Sequence, residues 1–417
     1  MTQSLSISLD QKLVPAGEAA VRNAVVRVVA PGRKGGVERD PVAAACVLDR
    51  SGSMTGAKIA MAKWALDAAV DRLGPRDRFS VVIFDDKVDV VFEAREASPE
   101  AKRAAHTAIA GIEARGNTNL CEGWMTGVTQ LAGKARLSRV MLFTDGIANE
   151  GVTDVAKLAE HAAELRKRGI STSTFGVGDH FNEVLLQAIA TAGGGNFYFV
   201  AEAAQIADFM MSELGEFLDV VATGATLSVF PGEGVEVELL SVVSTERDQG
   251  VVRLSLGSLV ADQEVEVVLR LRIAAGEGER EVKVACASAD GALSLAAAAS
   301  LRAVPAAEAA AETPDAQVVR AVAAVDIARA QQEAVAYNRA GDYGAALGVM
   351  HATLSNYEGY AQHDTVLRSA LWEASAASAS YGSAMDEAHL KTAYWNASNT
   401  ARGRTAAGTA RRATPKA

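Results

Sequence analysis

Two apolar runs that each stop on a carboxylate constrain this chain most. Residues 42–48 lead into Asp49, and residues 139–144 lead into Asp145. Around them, residues 42–218 alternate runs of strand length with amphipathic segments of helix length. The strand candidates are 42–48, 78–84, 88–92, 139–144, 171–177 and 196–200. The helix candidates are 56–73, 99–113, 120–134, 153–168, 181–192 and 202–217. In the first helix Ile59, Ala62, Leu66, Ala69, Val70 and Leu73 share one face, the spacing of a helix lying on a sheet. Near-continuous apolar strands in such alternation predict a mostly parallel sheet covered on both faces. Residues 88–92 follow their neighbour too closely for a crossover, which predicts an antiparallel edge strand. Ligands of such sheets gather beyond the carboxyl ends of the strands, where Asp49 and Asp145 fall.

The segment after the first run reads Asp49, Arg50, Ser51, Gly52, Ser53, Met54. Alternate residues of an extended segment point the same way, so Asp49, Ser51 and Ser53 converge. Gly52 lets the backbone turn tightly between them. Hard oxygens around one point suit Mg²⁺ or another hard divalent cation. Gly116-Asn117-Thr118-Asn119 offers a further hydroxyl on a loop, and Asp145 a second carboxylate.

With these residues the chain resembles a von Willebrand factor type A (VWA) domain carrying an intact metal-ion-dependent adhesion site. The family pattern is Asp-x-Ser-x-Ser, then a distant Thr, then a distant Asp, and Asp49, Ser51, Ser53, Thr118 and Asp145 match it. Residues 176–183 and 192–199 look like the late strands of bacterial VWA proteins. The resemblance covers roughly residues 42–218. It implies a Rossmann-like α/β domain that binds Mg²⁺, with Mn²⁺ or Ca²⁺ as substitutes. Ser51, Ser53 and Thr118 would hold the ion through their hydroxyls, and Asp49 and Asp145 directly or through water. One coordination position would stay open for an Asp or Glu side chain of a protein partner. Arg50, Met54, Thr55, Asn117, Asn119, Ile147, Asn149 and Glu150 flank the ligands, and Asp179, His180 and Phe181 follow another strand; together they form the expected rim. Met54 and Phe181 are either apolar anchors for the partner or local packing.

Other chemistries fit less well. Residues 52–58 resemble a phosphate loop, but Ala57 stands where Gly is needed and Ile59 where Ser or Thr is needed. Neither Ser51 nor Ser53 has the flanking glycines of a hydrolase nucleophile. His161 and Glu164 lack the second His of a zinc protease motif. Asp85 and Asp86 adjoin a strand end and offer either an acid–base pair or a solvated turn. No nucleophile–base arrangement is visible, so a metal-dependent hydrolase is a distant alternative and the chain is expected to be non-enzymatic. A nearer alternative is an accessory subunit that recognises substrate for, or couples to, an AAA+ ATPase or chelatase-like partner.

The balance of charges narrows the partners. A formal net charge of −10 argues against nucleic acid and anionic membranes. No run is long enough to span a membrane, and residues 1–20 lack the pattern of a signal peptide. Three scattered cysteines, Cys46, Cys121 and Cys286, point to a reducing compartment, hence a cytoplasmic location.

The rest of the chain changes character. In 222–302 Val235, Val237 and Leu239 alternate with glutamates, and Val265, Val267, Leu269, Leu271 and Ile273 with charged residues. Such alternation predicts a half-exposed antiparallel sheet, as in a β-sandwich. Leu5, Ile7, Leu9 and 25–29 repeat the pattern in a segment too short to fold alone. Residues 1–41 are therefore expected to join the later strands, leaving the VWA domain (42–218) inserted in the sandwich, an arrangement similar to that of the inter-α-trypsin inhibitor heavy chains. Residues 303–315 read as a linker, 316–398 as a small helical domain with Trp372, Tyr381, Tyr394 and Trp395 in its core, and 399–417 as a disordered tail. Residues 341–347 resemble part of a tetratricopeptide unit, too little for a solenoid. The expected fold is thus multidomain: α/β plus all-β plus α.

Overall fold

The computed structural model describes residues 3–33, 38–131, 133, 135–146, 152–405 and 407–413. The chain divides into two compact units, one of residues 34–220 and one of residues 1–33 with 221–417.

Three strands open the chain: β1 (Ser4–Leu9), β2 (Leu13–Pro15) and β3 (Ala20–Val29). The 34–220 unit then runs β4 (Val42–Asp49), α1 (Ala57–Arg72), β5 (Arg78–Phe84), β6 (Val88–Glu96), α2 (Pro99–Ala110), α3 (Leu120–Leu131), β7 (Leu137–Thr144), α4 (Val155–Lys167), β8 (Ile170–Val177), α5 (Glu183–Ala192), β9 (Gly194–Val200) and α6 (Gln205–Leu218). Its six-stranded sheet has the order β6-β5-β4-β7-β8-β9. All pairings are parallel except that of β6, which lies antiparallel on the edge beside β5. Every residue of β4 is buried, as a strand covered on both faces requires. Leu48 pairs with Phe143, so β4 and β7 end level and bring Asp49 and Asp145 to the same edge. Helix α1 buries Ala62, Ala65, Leu66, Ala69 and Val70, the face that the spacing predicts, while Ile59 is only half-buried.

The other unit contains two sheets built from β10 (Val220–Phe230), β11 (Val235–Leu239), β12 (Ser244–Asp248), β13 (Val251–Val260), β14 (Glu264–Ile273), β15 (Glu279–Ala287) and β16 (Ser294–Val304), together with the opening strands. One sheet has the order β1-β3-β14-β11, the other β12-β13-β10-β15-β16-β2. Strand β3 pairs along its whole length with β14 and also with β1. A single apolar core joins the sheets: Val26, Val28, Val267 and Leu269 from one, Leu227, Val229, Val252 and Val284 from the other.

Helices α7 (Ala306–Ala311), α8 (Ala316–Arg339), α9 (Tyr343–Ser355), α10 (Glu358–Ala361), α11 (Thr365–Ser378) and α12 (Glu387–Ala401) complete this unit. Asp315, Asp342, Asp364 and Asp386 each cap a helix by accepting first-turn backbone N–H groups. Among the described residues no helix is long and apolar enough to cross a membrane.

Several expectations need correction here. The sheet carrying β14 is covered on its outer face around Val25 and Val268, both buried, while Arg272, Glu236 and Val21 stay exposed on that face. Val268 and Val25 pack with Val318, Val322 and Val325 of α8, so the helical region shares a core with the sheet instead of forming a domain of its own. Trp372 is 71% exposed and lies outside that core. Helix α11 buries Leu367, Leu371, Ala374 and Ser378, a stripe that leaves Trp372 on the outer side. Tyr381 and Trp395 are buried and Tyr394 partly so. The 303–315 segment contains α7, and Glu312 beyond it accepts the backbone N–H groups of Lys12 (2.9 Å) and Leu13 (2.7 Å).

The tail is ordered through its described residues. The Val242 N–H donates to Ala401 O, Glu264 N–H to Arg411 O and Ala413 N–H to Asp262 O, each at 2.9 Å. Arg411 also pairs with Glu266. Backbone hydrogen bonds and charge fix a segment whose own apolar content could not.

Candidate metal centre

Asp49 ends β4 and is fully buried. Its Oδ1 accepts the Ser51 N–H at 2.8 Å, closing a tight turn, and its Oδ2 accepts the Thr144 hydroxyl at 2.6 Å. The chain then enters a 3₁₀ turn, Gly52–Met54. This turn sets Ser51 Oγ 3.1 Å from Ser53 Oγ, and Ser53 Oγ donates to Asp145 Oδ1 at 2.7 Å. Asp145, also fully buried, follows the last residue of β7. Thr118 is buried on the loop between α2 and α3, beside Gly146: a methyl group added to that glycine would come 3.0 Å from Thr118 Oγ1. The five candidate ligands therefore share one neighbourhood at the carboxyl edge of the sheet, with Ser53 exposed and the others buried.

The Thr118 loop is held on both sides. The Gly52 N–H donates to Gly116 O at 3.1 Å, Arg115 N–H to Arg50 O at 2.6 Å and Asn119 N–H to Asp85 O at 2.9 Å. Gly116 has φ +73°, and a Cβ there would meet the Asp85 and Asp86 side chains, so the turn needs glycine. Asp85 is neither an acid–base partner of Asp86 nor a solvated turn residue. It is buried and ion-paired to Arg50 Nε and Arg115 Nε, each at 2.9 Å. Burial alone would raise its pKa, but the Lys87 N–H and the two arginines outweigh that and hold it below the usual carboxylate range.

The electrostatics at Asp49 run the other way. Burial pushes its carboxyl up to about 6, opposed by the Thr144 and Ser51 hydrogen bonds and aided by the neighbouring Asp145 charge. A carboxylate stripped of water beside a second one is a poor place for lone negative charge and a good one for a cation. Among the described residues no group of three or more His, Cys, Asp and Glu side chains forms a metal site. An ion here would rely on two carboxylates and three hydroxyls. That all-oxygen set fits a hard divalent cation and suits soft metals poorly.

The expected rim is only partly a rim. Thr55, Asn117, Asp179 and His180 are exposed and Asn119 is half-buried. Arg50 is buried, with Nη2 2.5 Å from Asp89. Met54 is fully buried, because the 3₁₀ turn rotates it inward. Phe181 is 3% exposed and packs against Phe197 and Phe199, above the space left by Gly176. Met54 and Phe181 are therefore packing residues and not anchors on the surface. Ile147, Asn149 and Glu150 lie outside the described residues.

Sequence reasoning missed Thr144, Arg115 and Lys58, and read Arg50 only as a rim residue. Thr144 orients Asp49, and Arg50 and Arg115 brace the Thr118 loop through Asp85. Lys58, in the first turn of α1, places Nζ 2.5 Å from Asp145 Oδ2. Its position was legible only as a failed phosphate loop.

Residues 45–212 match the von Willebrand factor type A domain family. An uncharacterised protein of Synechocystis is 29% identical over 282 residues, 64% of this chain and 66% of that protein. Human inter-alpha-trypsin inhibitor heavy chain H4 is 28% identical over 203 residues, 46% of this chain and 21% of that protein. The chain thus spans about two thirds of the first relative and about a fifth of the second. A solved structure of a von Willebrand factor type A protein from Catenulispora acidiphila has the same fold, with a TM-score of 0.68 at 19% identity over 88% of this chain and 89% of that one. The chain carries a von Willebrand factor type A domain.

Proposed function

We propose that this chain is a non-enzymatic protein-binding protein whose VWA domain takes up Mg²⁺ and, through it, the Asp or Glu side chain of a partner. The observation that carries the reading is the pair of fully buried carboxylates, Asp49 and Asp145, at the ends of adjacent parallel strands, with Ser53 donating to Asp145 and Ser51 and Thr144 to Asp49. When bound, the ion would supply a Lewis-acidic centre that a carboxylate can reach. Ser51, Ser53, Thr118, Asp49 and Asp145 would hold it, and exposed Ser53 marks the side from which a partner approaches. Thr55, Asn117, Asn119, Asp179 and His180 would set the partner's fit.

Two further readings accompany this one. The pairing of β3 with β14 supports the VWA domain as an insertion in a β-sandwich. Three free cysteines, two of them buried, are in keeping with a reducing, cytoplasmic setting.

Affinity capture with the wild type in Mg²⁺, the wild type in EDTA and Asp49→Ala in Mg²⁺ tests the function. The same partners should disappear from the second and third captures. Partners retained in all three would overturn an ion-dependent interface.

A further inference from the structure

Lys58 stands in the candidate centre without being one of its oxygen donors. Its ammonium donates to Asp145 Oδ2 at 2.5 Å, while Asp145 Oδ1 is taken by Ser53 at 2.7 Å. Gly178, just past β8 with φ +77°, lies alongside it: a Cβ there would be 3.4 Å from Lys58 Nζ, an ordinary contact. Lys58 therefore reaches from α1 across the edge of the sheet to a carboxylate that is fully buried, while its own side chain is 29% exposed.

We propose that Lys58 is an internal counter-ion that competes with the divalent cation for Asp145, and so sets the affinity of the centre. The proposal rests on reading this centre as a cation site. A buried carboxylate needs a compensating charge, and Lys58 supplies one when no ion is bound. A divalent cation at the same carboxylate meets the ammonium as a like charge a few ångströms away, in surroundings where such repulsion is strong. A lysine is suited to yield. Its flexible stem and partial exposure let the ammonium swing into water when the ion arrives. Exchange of ammonium for cation keeps the centre folded in both states, at the expense of weaker ion binding.

The test uses the full chain with Lys58→Met and Lys58→Gln. Titration calorimetry with Mn²⁺ and with Mg²⁺ should show both variants binding about tenfold more tightly than wild type. In EDTA both should melt about 5 °C or more below wild type, because Asp145 has lost its partner. In an Asp145→Asn background, Lys58→Met should no longer lower the melting temperature in EDTA, since there is no charge left to balance. A wild type that binds the ion, with variants that bind it no more tightly, overturns the competition alone. A wild type that takes up no ion overturns the cation reading and the competition with it.

Discussion

Thr144 donates its hydroxyl to Asp49 Oδ2 at 2.6 Å, tying the last residue of β7 to the last residue of β4. The bond fixes one carboxylate oxygen of the candidate centre and leaves Oδ1 to the Ser51 N–H. Residues that orient a metal ligand in this way commonly matter to affinity nearly as much as the ligand itself.

Thr144→Val keeps the shape and removes the donor. Cation affinity should fall about 10- to 100-fold. The buried Asp49 acceptor is left short of a partner, which should cost about 1–3 kcal/mol of stability. Calorimetry and urea unfolding measure the two effects separately. An unchanged affinity would remove Thr144 from the centre.

His106 clamps α2 to α1, with Nδ1 2.6 Å from Asp67 Oδ1 and Nε2 3.0 Å from Asp71 Oδ1. Only the doubly protonated ring can donate to both. Asp67 foremost, with Asp71 and against the effect of burial, raises its pKa. A raised pKa contributes stability that is fully present below the unfolded value of about 6.5 and is lost as pH rises through the folded value. The clamp is partly exposed, so its worth is about 0.5–1 kcal/mol. His106→Gln should therefore cost that much at pH 5.5 and almost nothing at pH 9. A cost that does not change with pH would contradict the clamp.

Glu213 on α6 is fully buried and accepts hydrogen bonds from Arg139 (2.5 Å), Ser173 (2.6 Å), and Asn196 and Tyr198 (both 2.8 Å). Burial opposes its charge, but Arg139 and the three neutral donors hold its pKa below the usual range. Glu213→Leu strands the Arg139 charge and should cost about 3–5 kcal/mol. The double variant Glu213→Leu/Arg139→Met should lose less than either single change, because no uncompensated charge remains. Denaturant unfolding of the four proteins gives the answer, and simple additivity would contradict it.

The parts of this molecule that were legible in the sequence are those where side-chain pattern follows backbone geometry. Strand β4 is an apolar run because both its faces are covered, and β6 is an edge because too few residues separate it from β5. Asp49, Ser51 and Ser53 do lie together, but a tight turn at Ser51 and the 3₁₀ turn 52–54 bring them there, not the extended alternation that the spacing suggested. What failed was inference from adjacency in sequence. Met54 follows a ligand but turns inward on a 3₁₀ turn, and Phe181 follows a strand end but folds back over Gly176. Lys58 and Arg115 were hidden for the opposite reason: their partners, Asp145 and Asp85, are distant in sequence. The tail misled because composition registers apolar content and not the backbone hydrogen bonds to Asp262 and Glu264 that order it.

The most direct measurement is a calorimetric titration of Mg²⁺ into the full chain and into Asp49→Ala/Asp145→Ala, with circular dichroism to follow the fold. The wild type should bind one ion. The double variant should bind none while keeping its secondary structure, since both residues lie at the sheet edge. Undiminished binding in a folded double variant would contradict the central claim that these two carboxylates hold the cation.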